Sequence, residues 1–134
     1  MTLRGTMITG RWHETVAAAL PDGEVIFSTG TDDYQGSVAI VARLDDGRWL
    51  HYDWSYGSCS GCDAWEDEPT EKVTAEIAKG AAIMDRDHFA DYLVSAKASK
   101  ASWLHDGNSE SYSYERHVGV TVDELAALLA ARSP

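Results

Sequence analysis

The only two cysteines of the chain, Cys59 and Cys62, lie in the stretch Tyr56-Gly57-Ser58-Cys59-Ser60-Gly61-Cys62-Asp63. A C-x-x-C turn presents two sulfurs on adjacent corners of a tetrahedron, and nearby glycines let backbone amides approach them. Zinc is the cofactor such a turn would take. Two more ligands are then required. His51 and His88 are the first choices to complete a set with Cys59 and Cys62, and Asp63, His105 and His117 are further options. The chain has no second C-x-x-C and no His pair at finger spacing, so a zinc shared between two chains would also answer the shortage.

Three other chemistries compete for the same turn. A reactive thiolate needs a positive neighbourhood or a helix N-terminus. Here Asp63, Glu66, Asp67, Glu68 and Glu71 follow instead, and carboxylates disfavour a thiolate. A local disulfide would close a very short loop, stabilise by only about 2 kcal/mol, and be opened in a reducing cytosol. The plainest reading is two reduced cysteines packed as small hydrophobes. In each case Gly57 and Gly61 serve the backbone, with at least one at positive φ.

The wider chain carries no G-x-S-x-G elbow, P-loop, G-x-G-x-x-G or H-E-x-x-H. His13-Glu14 opens like the last of these, but Ala17 stands where the second His belongs. No catalytic residue is assigned, and the reading leans away from an enzyme. The acidic segment offers something different. Trp65 stands among Asp63, Glu66, Asp67, Glu68 and Glu71, and an aromatic anchor with an acidic rim is a protein-binding pattern. Trp49, Tyr52, Trp54 and Tyr56 lie just upstream and read mainly as packing.

The run Tyr34-Gln35-Gly36-Ser37, a strand, an Asp-Gly turn, and then Trp54-Ser55 leading into the cysteine octapeptide resembles a group of small phage and bacterial proteins. These share the Tyr-Gly-Ser-Cys-Ser-Gly-Cys-Asp signature after a hairpin and have no known activity. The likeness covers about the middle third of the chain. It implies a phage-type accessory protein, working in the host cytoplasm, and transfers no catalytic residue.

Composition fits that setting. Lys and Arg number 11 against 22 Asp and Glu, giving a net charge of −11 over 134 residues. Neutralising phosphates or anionic lipid takes clustered cations, so direct nucleic-acid and membrane binding are not expected. A host protein with a basic surface is the expected partner, with nucleic-acid mimicry one form of that interaction. No signal peptide or membrane span is read, and the expected location is cytoplasmic.

The elements that would position these residues follow from pattern. The expectation is one compact α+β domain over residues 1–134, a small antiparallel sheet with a central hairpin packed against several short helices. A helix near residues 10–20, capped by Thr9, precedes a strand at Glu24–Ser28. Ser37–Leu44 and Arg48–Tyr56 form the hairpin. A two-residue turn at Asp46-Gly47 would pair Val41 with Tyr52 and Ala39 with Trp54, and one extra loop residue would flip one strand. Apolar residues on both faces of these strands call for cover on both sides. Thr70–Ala82 and a segment capped by Asp85 read as helices, and Ala101–Leu104 and Ser111–Val118 as weaker strands. The capping box Thr121-Val-Asp-Glu124 opens a last helix with the stripe Val122, Leu125, Leu128 and Leu129, expected to pack across the hairpin.

Overall fold

The computed structural model describes residues 3–5, 13–30, 36–56, 70–104 and 116–131. Within these, the chain runs β1 (Leu3–Arg4), α1 (His13–Ala19), β2 (Gly23–Gly30), β3 (Gly36–Leu44), β4 (Trp49–Tyr56), α2 (Thr70–Gly80), β5 (Ala82–Met84), α3 (Arg86–Ala98), a 3-10 turn (Ser102–Leu104), β6 (Arg116–Gly119) and α4 (Val122–Ala130). This is a small α+β fold. Strands β2, β3, β4 and β5 follow one another across an antiparallel sheet. The outer edge of β2 is shared: β1 pairs parallel with its start, and β6 pairs antiparallel with its end.

Both faces of the sheet are covered, as the two-sided apolar strands require. Alternate residues of an extended strand point to opposite faces. Val38, Ile40, Ala42 and Leu44 of β3, with Leu50 and Tyr52 of β4, therefore join Val16 and Leu20 and the Val73 and Ile77 pair of α2. Ala39, Val41 and Trp49 point the other way, into a second layer with Phe89, Leu93, Trp103, Leu125 and Leu129. The last helix lies along α3, and its two inward leucines meet the hairpin residues in that layer.

The hairpin register differs from the two-residue expectation. Leu44 N–H donates to Arg48 O at 2.8 Å and Gly47 N–H to Leu44 O at 2.9 Å, so Asp45, Asp46 and Gly47 form the loop. Gly47 takes φ +91°, the left-handed residue that three-residue hairpins place at this position. The Asp46 carboxylate accepts from the Arg48 backbone N–H at 3.0 Å and from its Nε at 2.8 Å, which holds the turn closed. Val41 consequently stands opposite His51, and Ile40 opposite Tyr52. The extra loop residue moves Trp49 and His51 onto the face of Ala39 and Val41.

A bulge in β2 does comparable work. Val25 pairs with Ala42 and Phe27 with Val41, leaving Ile26 as the extra residue. Val25 then faces one layer and Phe27 the other, which two residues at alternate positions of a regular strand could not do. The Ile26 carbonyl accepts from Val120 N–H at 3.0 Å. Gly119 makes that approach possible: its φ is +92°, and a Cβ there would lie 2.3 Å from the Ile26 oxygen.

Several boundaries also shift. The first helix covers His13–Ala19, and its expected cap, Thr9, lies outside the described residues. The helix begun at Thr70 stops at Gly80, because Ala82–Met84 leaves it to pair with Trp49–His51 as an edge strand. Ala101–Leu104 is not a strand. It makes a 3-10 turn with Leu104 N–H donating to Ala101 O, and it buries Trp103 against the second layer. The weaker strand expected over Ser111–Val118 has its described part at Arg116–Gly119. Asp85 caps α3 through the His88 N–H at 2.8 Å, and the Thr121–Glu124 capping box closes in both directions. In the last helix Leu125 and Leu129 are buried, whereas Leu128 is 40 % exposed, so its inward stripe is narrower than the sequence reading. Among the described residues no helix is long and apolar enough to cross a membrane.

Candidate functional site

Strand β4 places Trp49, His51 and Asp53 on one face of the sheet, under α3 and the 3-10 turn. His51 is the centre of the cluster, with its side chain only 6 % exposed. Its Nδ1 lies 2.6 Å from the Tyr92 hydroxyl of α3. Its Nε2 lies 2.9 Å from Asp53 Oδ2, whose side chain is 48 % exposed at the border of the site. That carboxylate stands off the direction of a ring N–H, so Nε2 makes no directed hydrogen bond among the described residues and the contact is electrostatic.

Aromatic rings close around the imidazole. Trp103 stacks on it with centroids 3.9 Å apart, and Tyr92 tilts against it at 5.4 Å. Phe89 continues the array to Trp49 at 5.7 Å. The turn that carries Trp103 is tied to the sheet by Thr29, whose hydroxyl donates to Trp103 O at 3.1 Å across the second layer.

The chemistry of the cluster follows from its donors and acceptors. A neutral His51 with its proton on Nε2 faces Asp53 and accepts the Tyr92 O–H at Nδ1; an imidazolium would donate from both nitrogens. Burial, and then the Asp53 charge, push the Tyr92 phenol above its ordinary range. Tyr52, on the other face of the sheet, is pushed up to about 12 by burial and by Asp53 and Glu76. Neither tyrosine offers a phenolate near neutral pH. The Tyr92–His51–Asp53 chain therefore works as a polar strut fastening α3 to β4.

Of the four first-choice metal ligands, only His51 and His88 lie among the described residues. His51 bonds Tyr92 through Nδ1 and has the Asp53 carboxylate near Nε2. His88 is on the exposed side of α3, its side chain 77 % exposed, with Nδ1 at 2.8 and 2.9 Å from the two Asp85 oxygens. The hydrogen bond that the His88 ring donates to Asp85, followed by the carboxylate's charge, raises the His88 pKa above the ordinary 6.5. Among the described residues no three His, Cys, Asp or Glu side chains group as a metal site. Cys59 and Cys62, with Gly57 and Gly61, lie outside the described residues, as do Asp63 and His105. His117 belongs to the β6 backbone.

The expected partner surface divides in the same way. Asp63, Trp65, Glu66, Asp67 and Glu68 lie outside the described residues, while Glu71 is exposed in the first turn of α2. Elsewhere on the described surface, three cations have an aspartate partner. Arg4 bonds Asp45 at 2.6 and 3.1 Å, Arg48 pairs with Asp46 at 2.8 Å, and Lys97 with Asp123 at 3.7 Å. The arginine hydrogen bonds hold Asp45 and Asp46 below the usual carboxylate range. Glu71, Glu76, Asp87 and Asp91 are exposed and enter no ion pair among the described residues.

Sequence reasoning named His51 but missed its partners. Asp53 was within reach, since a His-x-Asp pair on a strand must share a face. Tyr92 and Trp103 carry no local signal, because they meet His51 only through tertiary packing. No protein-family model, curated protein or solved structure matches this chain.

Proposed function

We propose that this protein acts without catalysis, by binding a basic macromolecular partner through its carboxylate-rich surface. The contact region is the segment containing Asp63, Trp65, Glu66, Asp67 and Glu68, continued by Glu71 on α2. The observation that carries the reading is the charge distribution. A chain of net charge −11 spends three of its cations on local aspartate pairs, and Glu71, Glu76, Asp87 and Asp91 remain exposed without one among the described residues. Unneutralised carboxylates repel one another and steer a cationic surface toward them. In the phage setting that the cysteine octapeptide implies, the partner is a host protein, and mimicry of nucleic acid is the way such a surface would compete for a basic site.

The test is capture of host proteins on the immobilised chain at rising ionic strength. Exposed charge pairs are screened over about 8 Å at physiological salt, so affinity falls steeply as salt increases. Trp65→Ala weakens capture by more than about 1 kcal/mol if the indole is a buried anchor, and combined Glu66→Gln, Asp67→Asn and Glu68→Gln weakens it further. A partner indifferent to all four changes, or no partner at low salt, removes the proposal.

A second reading rests on the paired cysteines, which follow directly on the strand that carries His51. Here Cys59 and Cys62 hold zinc or act as thiols. Elemental analysis of the purified protein and alkylation of its thiols at neutral pH separate this reading from the first.

A further inference from the structure

We draw no further inference here: the strongest candidate, the partly buried Tyr92–His51–Asp53 side-chain cluster beneath Trp103 at the second-layer face of β4, belongs to the site already described, and nothing in the structure shows what ligand it would meet.

Discussion

At the scale of single residues, the polar groups buried in the sheet divide into those with a partner and those without. The Tyr92 hydroxyl is bonded to His51. Tyr92→Phe removes that partner from a buried ring nitrogen, and leaving a buried group unsatisfied costs about 1–3 kcal/mol. Urea unfolding of the variant is expected to show this as a lower midpoint at unchanged slope. Ser28 gives the opposite case. Its hydroxyl is buried and has no hydrogen-bond partner among the described residues, so Ser28→Ala is expected to be neutral or stabilising in the same assay. The pair at the start of α3 answers to pH. The raised His88 contributes stability that is complete below its ordinary value of 6.5 and is lost as pH rises through its higher folded value. Asp85, held low mainly by the His88 backbone N–H, contributes above its ordinary 3.8 and loses that contribution as pH falls. The pair is therefore most stabilising between the carboxylate and imidazole ranges. His88→Ala is expected to flatten the fall in melting temperature expected of the parent protein as pH rises through the imidazole range.

At the scale of elements, what could be read in advance was set by local chemistry. The Asp85 cap, the Thr121–Glu124 box, the Val73–Ile77 pair and the Asp-Gly turn are signals carried by neighbouring residues, and each marks an element that is present. The hairpin register was not determined by the Asp-Gly pair alone, since Gly47 can serve either a two-residue or a three-residue loop. Ala82, read in sequence as the end of a helix, instead begins the strand Ala82–Met84, because β4 offers an edge to pair with. Trp103 similarly belongs to a compact turn because the second layer has room for its indole. Of the site, His51 was legible and its surroundings were not. Two backbone positions test this picture. Gly119→Ala drives a methyl against the Ile26 carbonyl at a positive-φ residue, and is expected to cost more than about 1 kcal/mol. Lys100 holds φ 55° just beyond α3, where Ala101 N–H donates back to Ala96 O at 2.9 Å. This is a place for glycine, and Lys100→Gly is expected to stabilise by about 0.5–1 kcal/mol. Chemical denaturation of both variants checks the two signs together.

At the scale of the whole molecule, the charge imbalance bears on folding as well as on the proposed recognition. An excess of carboxylates repels itself most strongly in the compact state. Raising sodium chloride from low to physiological concentration is expected to raise the melting temperature of the protein, because screening weakens that repulsion. A melting temperature that fell with salt would mean that the Arg4–Asp45, Arg48–Asp46 and Lys97–Asp123 pairs outweigh the excess. The shared edge of β2 has a separate consequence, in the order of assembly. Strands β2, β3 and β4 are joined in sequence and can pair as soon as they leave the ribosome, but the far half of β2 receives its outer neighbour only from Arg116–Gly119. Until that segment has been synthesised, the strand from Phe27 to Gly30 presents an open row of backbone donors and acceptors to any other nascent chain. Closing this gap joins two distant parts of the sequence, and such contacts form slowly. The Gly119 turn over the Ile26 bulge thus closes the outer edge of β2, and weakening it is expected to leave that edge open to edge-to-edge pairing for longer.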